Sequence, residues 1–296
     1  MDITIQAHSF FSKNQRCQGL FYSPQQAKPV PIIVMAHGFA CQQDFALPFF
    51  AYRFAENGIG VFTFDYRHFG NSEGTPRQLI SLKKQRQDWN AAVDYARTLP
   101  GIHPNQIILW GSSLSGGHVL EIAAERSDIS LVLAHVPFTD GLSIFHLWKV
   151  WDILRIGGAG ILDLLYAALG QSYKIPVVES PGRLGCMTMP GMKESYLAAV
   201  PEDTQWKNKT PARIGLSLVF DRPCRRAHKI SCPTLIISGD DDNAVYTPAA
   251  QKTATAIKNS HFVSLPMGHC DAYIPGRFMD DVFELQLSFI RQHFPA

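Results

Sequence analysis

The chain has 296 residues, 46% of them hydrophobic and 18% charged, with 19 Phe, 9 Tyr and 5 Trp. That is ample apolar material for a closed core, and it excludes a disordered, collagen-like or coiled-coil protein. Twenty-seven basic against 25 acidic residues leave a charge of +2, too balanced for a nucleic-acid tract or a polybasic membrane anchor. In chain order, Ile3-Thr4-Ile5 and Gly19-Leu20-Phe21-Tyr22 read as a hairpin of outer strands, ended by Ser23-Pro24. Ile32 to Met35 is a short, wholly apolar run, as a strand buried on both faces should be. Leu47, Phe50, Ala51 and Phe54 then follow helical spacing and close on Asn57-Gly58. Val61 to Phe64 is the next strand, and Trp89, Ala92, Val93, Ala96 and Leu99 form a second amphipathic helix before Pro100-Gly101. Ile107 to Trp110 and Leu131 to Ala134 continue the strands, with a helical segment through Glu121, Ile122 and Glu125 between them.

From about Pro137 to Lys229 the alternation stops and no strand is predicted. The first half of this segment is almost wholly apolar and predicts two helices hinged at Gly157-Gly158-Ala159-Gly160. The second half holds Pro176, Pro181, Gly182, Gly185, Pro190, Gly191 and Pro201, so loops with at most short helices are expected. Strands resume at Leu235 to Ile237 and Phe262 to Leu265, and Val282, Leu285 and Phe289 mark a last helix. Strands alternating with helices predict an α/β protein with a mostly parallel central sheet covered by helices on both faces. Residues 1–136 and 230–296 are then the core, and 137–229 an insertion after the sixth strand.

Cys17, Cys41, Cys186, Cys224, Cys232 and Cys270 are scattered without metal-ligand or disulfide spacing. The expectation is a metal-free protein of a reducing compartment, without cofactor. The first residues lack a basic stretch leading into an apolar one, so a cytoplasmic location is expected. The most apolar stretch, Leu142 to Leu169, is broken by Lys149, Asp152, Arg155, Asp163 and the glycines, which argues against a membrane span.

Gly111-Ser112-Ser113-Leu114-Ser115-Gly116-Gly117 joins a strand to a helix. A nucleophile on such a turn needs small residues two before and two after it, and Gly111 and Ser115 meet that condition around Ser113. The plainer readings are a helix N-cap or a phosphate-binding turn. No Gly-Lys-Ser/Thr or dinucleotide fingerprint is present. His37-Gly38-Phe39-Ala40 follows the third strand and is a turn at the least. Asp240-Asp241-Asp242 follows another strand: either a solvated acidic loop or the source of one carboxylate that orients a histidine. Gly268-His269 follows the last strand, and an imidazole near its ordinary pKa can accept a serine proton.

The turn at Ser113 resembles the nucleophile elbow of the α/β-hydrolase family, with Ser115 where that family usually has glycine. The resemblance implies Ser113 as nucleophile, His269 as base and Asp242, followed by Ala244 and Val245, as acid; Asp240 is the lesser choice. It implies the backbone N–H groups of Phe39 and Leu114 as oxyanion donors. The order Ser113, Asp242, His269 is that family's order. Phe64-Asp65-Tyr66-Arg67, Phe69 to Gly74 and Gly268 to Tyr273 resemble the branch of dienelactone-hydrolase-like and X-Pro-dipeptidyl-peptidase-like enzymes and fungal polyketide thiohydrolases and acyltransferases. There Asp65 and Arg67 are expected to brace the loop beside the elbow, or else to touch substrate. In this architecture the insertion is a lid, and Phe145, Trp148, Trp151, Leu154 and Tyr166 are candidates either for its substrate pocket or for its own packing. The expected activity is hydrolysis of a small-molecule ester or thioester with an apolar acyl group, an acyl-carrier or CoA thioester among them. An acyltransferase and a non-catalytic binding protein on the same fold are the alternatives, and no nucleic-acid partner is expected.

Overall fold

A computed structural model describes residues 2–294. The chain opens with strands β1 (Ile3–Ser12) and β2 (Gln15–Pro24), joined by Lys13 and Asn14, both at positive φ (47° and 64°), as a two-residue hairpin turn requires. Both strands run well beyond the residues predicted for them. As an edge strand β1 buries Phe10 and exposes Phe11, so its signal is a weak alternation and not an apolar run. The core then alternates: β3 (Val30–Ala36), α1 (Leu47–Glu56), β4 (Gly60–Phe64), α2 (Leu82–Ala96), β5 (Ile102–Ser112), α3 (Leu114–Glu125) and β6 (Leu131–His135).

Eight strands form one sheet in the order β1-β2-β4-β3-β5-β6-β9-β10, where β9 is Thr234–Gly239 and β10 is Ser260–Leu265. The pairings β1 to β2 and β2 to β4 are antiparallel, and all others are parallel. Residues Ile32 to Ala36 of β3 and all of β4 are buried. Because successive side chains point to opposite faces, both faces of the sheet are covered. Helix α6 (Thr247–Ala256) links β9 to β10, and α7 (Met279–His293) meets α1 through the rings of Phe54 and Phe283, 4.9 Å apart.

β6 pairs directly with β9, Val132 opposite Thr234, so the chain from Pro137 to Lys229 is an excursion between neighbouring strands. It contains α4 (Val150–Ala168), α5 (Met192–Ala198), several single 3₁₀ turns and a two-residue ladder of β7 (Lys174–Ile175) with β8 (Thr210–Pro211), too short to leave a periodic signal. The hinge expected at Gly157–Gly160 is absent: α4 is one continuous helix of 19 residues. Its glycines cost about 1 kcal/mol each relative to alanine, yet they do not break it. Gly160 admits a neighbouring segment, since a Cβ there would lie 2.7 Å from Leu216 Cγ. From the other side, a Cβ on Gly215 would lie 2.2 Å from Ile156 Cγ2. Buried Asp163 fastens the same crossing, accepting from Arg213 Nε at 2.6 Å and from the Arg213 backbone N–H at 3.0 Å. Among the described residues no helix is long and apolar enough to cross a membrane.

Candidate active site

Ser113 is the single residue between β5 and α3, with φ 54° and ψ −120°. A serine in this region is strained, and its surroundings must hold it there. Its N–H donates to His135 O at 2.9 Å, and its carbonyl accepts from Phe138 N at 2.9 Å, so the strand end and the following loop clamp the turn. The close approach also dictates small residues: a Cβ on Gly111 would lie 2.3 Å from Ser115 O, and one on Gly117 would lie 2.2 Å from Phe138 O. Ser115, at the usual glycine position, is fully buried and pairs with Tyr66 Oη at 2.8 Å. Tyr66 Oη in turn accepts from Trp89 Nε1 at 2.8 Å.

Ser113 Oγ lies 3.0 Å from His269 Nε2, and His269 Nδ1 lies 2.8 Å from Asp242 Oδ2. The other Asp242 oxygen accepts from the backbone N–H groups of Ala244 and Val245, each at 2.8 Å. These bonds hold the carboxylate rigid, which places the imidazole proton on Nδ1 and leaves Nε2 to accept from the serine hydroxyl. Asp240 is turned to Ser264 Oγ and not to the histidine. Thus the structure brings together three residues that stand after β5, β9 and β10.

The loop after β3 crosses beside the serine, and a Cβ on Gly38 would lie 3.0 Å from Ser113 Cβ. This brings Phe39 against Ser113, with Leu114 at the first position of α3, where the N–H has no intrahelical acceptor. His37 is buried, and burial pushes its pKa down to about 3, so it is neutral. Its Nε2 stays 3.8 Å from Asp65 Oδ1, too far for a hydrogen bond. Asp65 and Arg67 do not pair with each other. Asp65 accepts from the Gln43 backbone and side chain at 2.9 and 2.8 Å, whereas Arg67 forms a buried ion pair with Asp88 at 2.5 Å.

Two apolar cavities meet at Ser113. The first is lined by His37, Phe39, Cys41, Phe45, Tyr196, His269, Cys270 and Tyr273 among others. The second is lined by Leu114, Phe138, Ile144, Trp148, Leu218 and Val245, and Phe39 and Met187 border both. Of the aromatic residues singled out in the insertion, Trp148 stands at the second cavity. Phe145, Trp151, Leu154 and Tyr166 line neither and are exposed. The segments around Met187, Tyr196 and Leu218, which sequence reasoning passed over, supply walls instead. They lie in the loop-rich half of the insertion, where no periodicity marks an inward face.

A parallel sheet with a strained serine after β5, a carboxylate after β9 and a histidine after β10 defines the α/β-hydrolase class. Residues 27–265 match the family described as serine aminopeptidase S33 (Hydrolase_4), and the chain belongs to that family. It is 33% identical to the quorum-quenching protein AidA of Acinetobacter baumannii over 288 residues, 97% of this chain and 94% of that protein. It is 40% identical to the thiohydrolase aneE of Aspergillus aculeatus over 110 residues, 37% of this chain and 35% of that one. It is 33% identical to the polyketide transferase grgF of a Penicillium species over 110 residues, 37% of each chain. The crystal structure of GrgF shares the fold, with a TM-score of 0.82 at 20% identity over 99% of this chain and all of that one.

Proposed function

We propose that this α/β hydrolase cleaves an ester or thioester with an apolar acyl group through an acyl-enzyme on Ser113. The observation that carries this reading is the unbroken hydrogen-bond chain from Ser113 Oγ through His269 to Asp242, set between two apolar cavities. Ser113 Oγ attacks the carbonyl carbon as its proton passes to His269 Nε2, and Asp242 stabilises the imidazolium through Nδ1–H. The backbone N–H groups of Phe39 and Leu114 receive the oxyanion, a contribution of about 3 kcal/mol per donor. Collapse expels the thiolate or alkoxide, which takes the proton from His269, and a water activated by the same imidazole releases the acid. Residues 137–229 act as the lid over a core of residues 1–136 and 230–296, because Met187, Trp148, Tyr196 and Leu218 close the cavities from that segment.

A second reading, acyl transfer to a bound alcohol or amine, has specific support in the paired cavities: one can hold the acyl chain while the other holds an acceptor instead of water. The relatives named as thiohydrolase and polyketide transferase support a thioester donor for either reading. The deciding experiment is incubation with a fluorophosphonate and with a series of acyl thioesters, followed by intact-mass and peptide mass spectrometry. Mass addition at Ser113, lost in Ser113→Ala, is expected. Labelling of Ser113→Ala equal to that of the native chain removes the nucleophile assignment. Release of free acid in water alone indicates hydrolysis, and release only with an added acceptor indicates transfer.

A further inference from the structure

We propose that the outer face of α4 is a dimer interface, formed by two copies of this chain packing their α4 helices antiparallel about a two-fold axis near Gly158. Most apolar helices turn their apolar face inward. Here the inward face is small, made of Ile156, Ala159, Gly160 and Asp163, and the large side chains point to solvent. Trp151 is 69% exposed, Leu154 58%, Ile161 58% and Leu165 63%. With Gly158 and Ala168 these residues follow one another at steps of three and four, the spacing of a helix-to-helix seam. Flanking Val150, Leu162, Leu164 and Leu169 are exposed as well. Large apolar side chains gathered on one exposed helix face mark a surface for interaction.

The glycines say what covers it. Gly160 is required by the protomer's own packing, but a Cβ at Gly157 or Gly158 would meet nothing within 4 Å. Nothing inside the protomer therefore explains why two glycines stand in the middle of this helix. A second helix does, because glycine at the crossing point lets two backbones approach closely. Gly158 lies midway between Trp151 and Leu165, so an antiparallel copy sets the large indole against the partner's aliphatic side chain at both ends. Such a patch is self-complementary, as a two-fold contact must be. An anionic bilayer fits less well: the charges in and just before α4 are Lys149, Asp152, Arg155 and the buried Asp163, and Arg155 is engaged by Asp152 and the Gly182 carbonyl, which leaves one exposed lysine where headgroup binding calls for a basic cluster.

The test is sedimentation equilibrium from about 1 to 100 µM, comparing the native chain with Ile161→Glu and Leu165→Glu. The expected result is a native dimer and monomeric variants, with the dissociation constant raised at least about a hundredfold by the buried carboxylates, and with circular dichroism unchanged. Oxidative cross-linking fixes the geometry. Gly158→Cys, on the axis, should form a disulfide-linked dimer that the native chain does not. Leu169→Cys should not, because antiparallel helices set those positions about 30 Å apart. A native monomer across the range overturns the proposal, as does a dimer that survives both charged substitutions. Monomers that sediment with anionic vesicles through this face overturn it too. Cross-linking through Leu169→Cys but not Gly158→Cys overturns the antiparallel arrangement.

Discussion

Tyr66 Oη and Ser115 Oγ lie 2.8 Å apart beneath the turn that carries Ser113, and Trp89 Nε1 completes the chain at 2.8 Å from the same phenol. The serine at the usual glycine position is thus a partner for a buried tyrosine, and the elbow is tied through it to the loop after β4 and to α2. Tyr66→Phe would strand both the serine hydroxyl and the indole N–H in the core. It should cost about 1–3 kcal/mol in urea unfolding. Ser115→Gly, which restores the commoner residue, should also destabilise, because Tyr66 then loses a partner. A Ser115→Gly protein more stable than the native chain would refute this account of the position.

The two neighbouring carboxylates after β9 should behave oppositely. Asp242→Asn keeps the shape but removes the charge that fixes the imidazole tautomer. A fall in kcat of roughly 10³- to 10⁴-fold is expected. Asp240→Asn, whose side chain faces Ser264, should leave kcat within about threefold, as a surface change away from the site does. Equal losses in the two variants, measured with an ester or thioester that the native chain turns over, would dismiss Asp242 as the orienting group.

Substrate contact should divide the aromatic residues of the insertion. Trp148 borders the second cavity, and Trp148→Ala should lower kcat/KM for bulky apolar substrates about ten- to hundredfold, the equivalent of about 1.5–3 kcal/mol of lost apolar contact. Trp151 lines neither cavity, so Trp151→Ala should leave kcat/KM within about twofold at a fixed oligomeric state. A profile across acyl chain lengths reads both, and an unchanged profile for Trp148→Ala would remove the second cavity from substrate binding.

Mild acid should destabilise the fold through histidines buried in neutral form. Burial lowers the pKa of His37 to about 3, lowers that of His135 to about 3 with help from nearby His269, and drives that of His118 well below its ordinary value. Below about pH 6.5 the unfolded chain takes protons that the folded chain refuses, so folding releases protons and stability falls as pH falls. From pH 7 to 5.5 His37 and His135 each account for about 1.3 kcal/mol, and His118 acts in the same direction. Asp65, raised by burial to about 6, acts in the opposite sense: the folded chain takes its proton first and recovers somewhat under 1 kcal/mol. Urea titrations should therefore show a less stable fold at pH 5.5 than at pH 7. Equal stabilities would mean that these rings are protonated in the fold.

Arg67 and Asp88 test whether the residues after β4 are structural. Both are buried and paired, so Arg67→Ala should cost about 3–5 kcal/mol by leaving a carboxylate without its partner. A stable Arg67→Ala protein with a selective rise in KM would instead place Arg67 at the substrate.

How much of this was legible in the sequence depended on the range of the interaction involved. Apolar runs such as Ile32 to Met35, the helical spacing of α1 and the small residues around Ser113 are local consequences of backbone geometry, and each can be read within a dozen residues. The sequence by itself therefore determined the parallel core, the turn at Ser113 and the break in the pattern at residue 137. Other features exist only where distant segments meet. His269 reaches Ser113 across 156 positions, and Tyr66 meets Ser115 across 49. The glycines of α4 read as a hinge because local propensity disfavours them in a helix. Only the packing of Ile156 against Gly215 and of Gly160 against Leu216, together with the Asp163–Arg213 pair, shows that they lie within one continuous helix. The cavity walls were hidden for the same reason: Met187 sits in irregular chain and Tyr196 in a helix of only seven residues, so their inward direction is set by tertiary contacts and not by a readable period. The exposure of Trp151 and Leu154 was equally out of reach. A helix apolar on nearly every side does not disclose which face the core will take until its neighbours are in place.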